Sequence, residues 1–371
     1  MPHAEIVIVG GGVIGLSLAW ELAGQGAEVL VLDKQQVGRE ASWAGAGMLP
    51  PGNLAQALSP LDRLRAFSAE LWPHWTESLK ELTGIDNGYV MCGGLTVSLG
   101  HESCRELQTE WTSEGVALTE LTAQELHEQE PALSPEVTEG FLLPEMAQVR
   151  NPRHLHALKS ACVRQGVTIL EGQLASEVER SGSKIRSLRT FEQKITGDRF
   201  CFCTGAWTPS LTTQLGCHIP VRPIRGQIVL LNTGAAVIRH IIEVGDRYLV
   251  PRPDGRLLVG STMEETGFEK KTTVDGISGL LDFAQRLVPS LASAEVEQTW
   301  AGLRPMSATG LPFLGPLPEC DNAFVAAGHF RSGLQTSPGT AVVMRELLLG
   351  QEPSLDLVPF FPRTQSQGSA S

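Results

Sequence analysis

Three glycines near the start of the chain have the spacing of a loop that binds the phosphates of a nucleotide. Gly10, Gly12 and Gly15 follow the apolar run at residues 5–9, and Asp33 closes the next apolar run. In a strand–turn–helix unit the first glycine permits the tight turn, the second lets a pyrophosphate approach, and the third lets the helix pack closely. The helix amides would face the phosphates, and Asp33 would accept hydrogen bonds from ribose hydroxyls. The motif predicts dinucleotide binding without choosing between a flavin and a nicotinamide.

Length and composition restrict the class of protein. A chain of 371 residues exceeds the size at which one hydrophobic core usually stops growing, so two domains are expected. Its 42% hydrophobic and 19% charged residues are typical of a soluble α/β protein. The net charge of −12, without a cluster of Lys and Arg, argues against a nucleic-acid partner. No apolar run approaches the roughly 20 residues of a membrane helix, and residues 1–5 do not resemble a signal peptide. We therefore expect a cytoplasmic protein.

The seven cysteines are scattered and do not have the spacing of a metal site or a redox pair. There is no C-x-x-C motif and no His/Cys cluster with zinc-ligand spacing, so we predict buried, reduced thiols and no metal. Cys201 and Cys203 lie in an apolar strand, where we expect one on each side of the sheet.

Hydrophobic periodicity and turn residues outline helices and strands along the chain. Thr122 and Glu125 predict a capping box, and Asn151 is expected as an N-cap with Pro152 at the first helical position. Helices are expected from Val13 onward and at residues 59–83, 102–114, 122–130, 151–165 and 277–287. Strands are expected at residues 5–9, 29–33, 91–99, 168–171, 175–179, 184–195, 200–203, 227–231, 238–244, 248–251, 256–260 and 323–327. Residues 38–52, rich in small side chains, are expected to form a loop.

Five segments resemble, in the same order, segments of the FAD-dependent D-amino-acid oxidase family. They are residues 38–48, 221–227, 248–251, 300–305 and 328–333. The likeness runs from about residue 6 to about residue 349, and it is greatest to the glycine oxidase branch, which serves thiamine (thiazole) biosynthesis. Because ordered segments cover nearly the whole chain, this resemblance is far more specific than the glycine motif alone.

The resemblance implies an α/β fold in which a Rossmann-like FAD-binding domain joins an α+β substrate domain built on an antiparallel sheet. The chain would cross between them several times and leave a cleft, the usual place for a ligand. The FAD-binding domain is expected at residues 1–85, 146–216 and 305–355, and the substrate-binding domain at 86–145 and 217–304. Residues 356–371 are expected to be a C-terminal segment ending in a flexible polar tail at 364–371.

The resemblance also implies bound FAD, and no cysteine lies in a segment like the covalent attachment site of sarcosine-oxidising relatives, so we predict non-covalent binding. Most family members carry Glu where this chain has Asp33, which shortens the reach to the ribose. The backbone of Val178 would hold the adenine, and His329 would contribute through its backbone and not as a base. The implied cofactor-binding residues are Gly10, Gly12, Val13, Ile14, Gly15, Asp33, Lys34, Ala41, Ser42, Ala46, Gly47, Met48, Val178, Gly205, Gly328, His329, Phe330, Arg331, Ser332, Gly333, Leu334 and Gln335.

For the substrate, the resemblance implies a carboxylate bound by Arg304 and Tyr248. Burying a carboxylate is costly unless it is paired, and a guanidinium offers a planar two-pronged partner that also fixes orientation. Arg331 matches a further position near the substrate, and Met263 is predicted to line the pocket. Two alternatives stay open: an ion pair within the flavin domain for Arg331, and simple gap filling for Met263.

The implied reaction is oxidative deamination of glycine or another small amino acid or amine. A hydride passes from Cα to N5 of the flavin, water converts the imine to a keto acid and ammonia, and dioxygen reoxidises the flavin to give hydrogen peroxide. No side chain need act as acid or base when the amine arrives neutral. Alternatives are a sarcosine or D-amino-acid oxidase, a dehydrogenase of the same fold with another electron acceptor, a nicotinamide enzyme, and a flavin-holding protein without turnover. Family members are often tetramers, so a homotetramer is a further expectation.

Overall fold

A computed structural model describes residues 1–363 of the chain. The strand that precedes the glycine motif lies inside a parallel sheet. The strands are β1 (His3–Val9), β2 (Val29–Leu32), β3 (Met48–Leu49), β4 (Val90–Met91), β5 (Gly94–Val97), β6 (Thr119–Thr122), β7 (Glu139–Leu143), β8 (Ala147–Gln148), β9 (Thr168–Leu170), β10 (Glu177–Ser181), β11 (Lys184–Arg189), β12 (Lys194–Phe202), β13 (Val221–Asn232), β14 (Ile241–Val244), β15 (Arg247–Pro251), β16 (Arg256–Gly260), β17 (Glu295–Ser307), β18 (Phe313–Pro316) and β19 (Ala323–Ala327). The helices are α1 (Val13–Gly24), α2 (Ala41–Ala44), α3 (Pro60–Thr83), α4 (Arg105–Ser113), α5 (Ala123–Gln129), α6 (Asn151–Arg164), α7 (Thr208–Thr212), α8 (Val274–Leu287) and α9 (Ser337–Leu348).

The first sheet has a parallel centre in the order β9-β2-β1-β12-β19. Strand β18 pairs antiparallel with β19, and the β10–β11 hairpin extends the amino half of β12. Alternate residues of β1 face opposite sides: Ile6 and Ile8 pack toward α1, α3, α6 and α9, whereas Val7 and Val9 join the core on the other face. Burial on both faces explains why these strands are continuous apolar runs.

The second sheet is antiparallel apart from one pair and has the order β17-β13-β16-β15-β14-β5-β7-β6. The long strands β13 and β17 pair along their whole length, from Val221 opposite Ser307 to Asn232 opposite Glu295. One face packs against α8 through Val229, Val259 and other apolar residues. The opposite face carries Ile228, Tyr248 and Val250, and Ile228 and Tyr248 line the cavity described below. A small third sheet joins β3, β8 and β4.

Most predicted elements are confirmed, including the predicted α/β fold with an antiparallel sheet inserted into the chain. Thr122 caps α5 in a capping box with Glu125, as predicted, and Ser59 caps α3 in the same way with Asp62. Strands β6, β7, β8, β17 and β18 and helix α9 were not anticipated. Strands β8 and β17 pair with strands far away in sequence, so local patterns carry little information about them.

Several local predictions are wrong. Asn151 is not the N-cap but the first residue of α6, and its side-chain amide donates to the carbonyl of Ser42 instead. Cys201 and Cys203 face the same side, with their sulfurs 3.8 Å apart, because residues two apart in a strand share a face. The strand expected at residues 91–99 is split at Gly93, whose φ is +71°, into β4 and β5 of different sheets. The loop at 38–52 contains α2 and β3.

The two large sheets draw their strands from the segments predicted for the two domains, except that β17 continues to Ser307. The domain division itself stays a prediction. The polar tail expected at residues 364–371 lies outside the described residues. In the part of the chain that the structure describes, no helix is both long and apolar enough to cross a membrane.

Candidate active site

A cavity of about 570 Å³ is lined by residues of both large sheets. It lies at the carboxyl ends of β1, β2 and β12, which is where open α/β sheets bind ligands. The structure brings together nearly all the predicted site residues around this one cavity. Those lining it are Gly10, Gly12, Val13, Ile14, Asp33, Lys34, Ala41, Ser42, Ala46, Gly47, Met48, Gly205, Tyr248, Arg304, Gly328, His329, Phe330, Arg331, Ser332, Gly333, Leu334 and Gln335.

The glycine motif forms the turn between β1 and α1. Gly10 has φ +107°, and a Cβ there would lie 2.4 Å from the carbonyl oxygen of Cys203, so only glycine fits. A Cβ on Gly15 would lie 1.9 Å from the Gly10 oxygen, which explains the close packing of the helix on the turn. A Cβ on Gly12 would meet only Ser42 Oγ, at 3.2 Å. The backbone at Gly12 is therefore open toward the cavity, and the amino end of α1 can receive a phosphate there.

Asp33 and Lys34 follow β2 at the same end of the cavity. The Asp33 carboxylate accepts hydrogen bonds from the backbone N–H of Gly11 (2.7 Å) and of Gln35 (2.9 Å). Burial raises the pKa of Asp33, and these two amides partly offset the rise. The ammonium of Lys34 lies 3.3 Å from the ring centre of Trp207. A carboxylate fixed at this end of the cavity suits the ribose hydroxyls of a nucleotide.

The loop at residues 41–48 is held by hydrogen bonds to three other segments of the chain. Ser42 Oγ accepts from the Val13 amide at 2.9 Å, which ties the loop to the start of α1. The buried guanidinium of Arg252 donates to the Ala46 carbonyl at 2.6 Å. The indole of Trp300 donates to the Ala44 carbonyl at 3.0 Å. The loop is thus a fixed main-chain wall of small residues along the cavity.

The turn between β19 and α9 forms the opposite wall. Phe330 has φ +51°, an uncommon conformation for a bulky residue, and its amide donates to the Pro305 carbonyl at 2.9 Å. The ring of His329 is buried and lies 3.2 Å from the Thr340 hydroxyl. Burial lowers the pKa of His329 to about 3, so this imidazole is neutral at physiological pH.

Arg304 on β17 and Tyr248 on β15 lie side by side at the other end of the cavity. The Arg304 guanidinium covers Gly226, where a Cβ would lie 2.1 Å from its nitrogens, and the Tyr248 ring covers Gly260 in the same way. Arg304 donates to Ser261 Oγ at 2.6 Å. Burial lowers the pKa of Arg304, and the neighbouring Tyr248 opposes this shift. Two glycines thus make room for a buried cation and a phenol.

Arg331 forms an ion pair with Asp246, in the turn between β14 and β15. The side chains are 39% and 59% exposed, and both residues line the cavity. The alternative of an ion pair within the flavin-binding segments is therefore wrong, because Asp246 belongs to the second sheet's connections. This pair joins the two walls at the mouth of the cavity.

Three predicted residues are not among those that line the cavity. Gly15 packs beneath the turn, against the Gly10 carbonyl, and Val178 and Met263 lie further away. The Val178 side chain is in the core, and its amide donates to Gln214 Oε1 at 3.1 Å. The residues that line the cavity in this region are Gln173, Leu174 and Ala175. Ala175 lies three positions before Val178. Met263 is 55% exposed outside the cavity. The prediction that Met263 lines the cavity is wrong, whereas the role of the Val178 backbone toward the adenine stays a prediction.

Sequence inspection missed one wall entirely. Helix α4 brings Leu107, Glu110 and Trp111 to the cavity, although nothing in its local pattern indicates a ligand. It also missed Glu243 on β14, for which a signal existed. A lone carboxylate inside the apolar strand Ile241–Val244 is costly to bury, and such a residue deserves a functional explanation.

Comparison with known proteins agrees with this geometry. A model of the family described as FAD dependent oxidoreductase (DAO) matches residues 5–347. The chain belongs to this family. The family prediction and the FAD prediction made from the sequence are thereby confirmed, and the enzyme is an FAD-dependent oxidoreductase. The open backbone at Gly12, the fixed Asp33 carboxylate and the small-residue loop fit FAD.

Relatives of this DAO-family chain match it nearly end to end. It is 33% identical over 360 residues to a glycine oxidase of Pseudomonas putida, covering 96% of this chain and 98% of that protein. It is 30% identical over 396 residues to the hydrogen cyanide synthase subunit HcnC of Pseudomonas aeruginosa, covering 96% and 95%. The crystal structure of glycine oxidase from Geobacillus kaustophilus matches with a TM-score of 0.93 and 32% identity, covering 98% and 99%.

Proposed function

We propose that this enzyme oxidises glycine or another small amino acid or amine, giving an imine, then a keto acid, ammonia and hydrogen peroxide. The observation that carries the proposal is the Arg304 guanidinium, half-buried in the cavity wall beside Tyr248. Its similarity to glycine oxidases over nearly the full chain supports the same conclusion. A role in thiamine biosynthesis and a homotetrameric assembly belong to the same proposal.

The charges at this end of the cavity suit a substrate carboxylate. A guanidinium has five donors, and bonds to Ser261 Oγ and to the Thr262 carbonyl use two of them. The remaining donors and the Tyr248 hydroxyl can bind the two oxygens of one carboxylate. A substrate anchored in this way has a fixed orientation, which accounts for a large part of the rate in reactions of this kind.

FAD, when bound along the glycine motif and residues 41–48 and 328–335, supplies the two-electron oxidation of the Cα–N bond. The chain's own residues bind and orient the substrate. His329 is neutral and hydrogen-bonded to Thr340. Its pKa of about 3 is far below neutral pH, so it does not serve as a general base in the reaction. Arg304 and Tyr248 act on the carboxylate end of the substrate.

A substrate panel tests the proposal. The purified yellow protein is incubated in air with glycine, sarcosine, D-alanine or D-proline, and hydrogen peroxide is measured. We expect peroxide with glycine or another of these small amines, and acid precipitation should release the flavin from the protein. Turnover that requires an artificial dye and gives no peroxide would show a dehydrogenase instead, and inactivity with every amine would refute the proposal.

A further inference from the structure

Glu243 lines the same cavity and has no role in the function proposed above. Its strand, β14, pairs with β15 so that Glu243 lies directly opposite Tyr248. Residues directly opposite each other on paired strands have Cβ atoms about 5 Å apart and share a face. The Glu243 side chain therefore lies beside Tyr248, on the cavity side of the sheet.

The surroundings of Glu243 are apolar, and the carboxylate is unpaired within residues 1–363. The other neighbouring strand places Thr96 opposite Glu243, and the Thr96 hydroxyl is buried and also lacks a hydrogen-bond partner among the described residues. The adjoining core contains Ile241, Phe141 and Met146. A carboxylate kept in such a place is costly, whereas a cationic ligand in the cavity would offset that cost.

Burial raises the pKa of Glu243 to about 7, and the positive charge of Arg331 works in the opposite direction. The other charged or titratable groups that line this end of the cavity come from six elements or turns. They are Tyr248, Asp246, Arg304, Arg331, Glu110, Glu114 and Arg65. Arg331 is already paired with Asp246, so its charge is largely committed to that partner.

We propose that Glu243 binds the amino group of the substrate and disfavours substrates that carry a second carboxylate. This inference rests on the proposed function, because it assumes that Arg304 and Tyr248 hold the first carboxylate. A zwitterionic amino acid then has its negative end on the guanidinium and its positive end toward Glu243. A dicarboxylate such as iminodiacetate would bring a second negative charge toward the carboxylate of Glu243, and like charges repel in a poorly solvated cavity.

The test compares the FAD-loaded wild type with the isosteric variant Glu243→Gln. A hydrogen bond to a charged partner contributes about 1.5–3 kcal/mol, so we expect the KM for glycine to rise at least about tenfold. Binding of acetate, which has a carboxylate but no amine, is read from the flavin absorbance and should change little. The kcat/KM ratio of iminodiacetate to glycine should increase. Glu120→Gln, an exposed change on β6 of the same sheet, is the control and should behave as the wild type.

A pH profile gives a second readout. In the wild type, kcat/KM for glycine should show a step centred near pH 7, because the carboxylate forms there. This step should be absent in Glu243→Gln, while the rise at higher pH from deprotonation of the substrate amine remains. Glu243→Asp retains a carboxylate and should retain the step with a higher KM, which keeps the test valid if the Gln variant fails to fold. An unchanged glycine KM and pH profile in Glu243→Gln, with an active wild type, would overturn this inference alone. Inactivity of the wild type with all amines would instead refute the proposed function.

Discussion

At the scale of single residues, the important difference is between a buried cation and an exposed one. Arg304 is held by Ser261 and Thr262 in the cavity wall, whereas Arg331 is partly exposed and already paired with Asp246. An exposed ion pair contributes little to binding or stability. The two arginines matched the same family pattern, but their surroundings give them unequal importance.

Arg304→Ala should raise the KM for glycine strongly. Removing one member of a buried charge pair costs roughly 2–5 kcal/mol, much of it from the carboxylate left without a partner. Steady-state peroxide assays give the change in kcat/KM, and flavin content shows that the variant still binds FAD. Arg222→Ala, an exposed residue of the adjacent β13 paired with Glu265, is the control and should leave the kinetics unchanged. Normal glycine kinetics in Arg304→Ala would remove that residue from the site.

Arg331→Ala should have a much smaller effect than Arg304→Ala, because its charge is already shared with Asp246 and partly screened by solvent. We expect less than about a tenfold change in kcat/KM, equivalent to about 1.4 kcal/mol. The same assay at low and high ionic strength measures the screening. A loss as large as that of Arg304→Ala would show that Arg331 leaves Asp246 to bind the substrate directly.

Among the elements, the β1–α1 turn contains one glycine that the fold requires and another that ligand binding requires. Gly10 is fixed by the fold, since its φ is positive and its Cβ position is occupied by the Cys203 carbonyl. Gly12 is not fixed in this way, because its Cβ position faces only Ser42 Oγ. The glycines of the motif look equivalent in the sequence, but the structure requires a glycine at each position for a different physical reason.

Gly12→Ala should therefore weaken FAD binding while leaving the fold intact. The added methyl group occupies the space through which a pyrophosphate reaches the backbone, so a Kd for FAD at least about tenfold higher is expected. Flavin fluorescence titration of the apoprotein measures the Kd, and circular dichroism checks the fold. Gly279→Ala, in α8 with no atom within 4 Å of the new Cβ, is the matched control. Equal FAD affinity in both variants would contradict the role of Gly12.

Elements also show where local patterns fail. The capping boxes at Ser59 and Thr122 depend on residues three apart, so they are visible in the sequence. Strand β17 contains the predicted motif around Arg304, but its strand character comes from pairing with β13, more than 60 residues earlier. Near Val178, the structure places the side chain of that residue in the core, whereas Ala175, in the turn before β10, lines the cavity.

At the scale of the whole molecule, buried neutral histidines connect folding to pH. His154 in α6 is packed against Trp72, and its Nδ1 lies 3.2 Å from the Asn87 amide nitrogen. Burial lowers the pKa of His154 to about 3. In the unfolded chain this imidazole takes up a proton below its ordinary pKa, but the folded protein cannot. Stability from this group is therefore complete above about pH 6.5 and decreases as pH falls toward 3.

Between pH 7 and pH 5, His154 should account for a loss of about 2 kcal/mol in the free energy of unfolding. Urea unfolding at both pH values measures this quantity. His154→Gln keeps an acceptor for Asn87, and its stability should vary less with pH by that amount. His101→Gln, at an exposed position, should keep the wild-type dependence. If His154→Gln kept the wild-type pH dependence, the pKa of His154 would have to be the same in the folded protein as in the unfolded chain.

The dinucleotide motif, the family and the flavin could be predicted from the amino-acid sequence, because each is encoded in short, ordered segments; the binding of a carboxylate by Arg304 and Tyr248 stays a prediction. Which charges face one another became visible from the folded structure. It placed Glu243 beside Tyr248 and brought α4 to the cavity, and it paired Arg331 with Asp246. These contacts join residues many positions apart, and their energies depend on burial and distance, which no local pattern of residues contains.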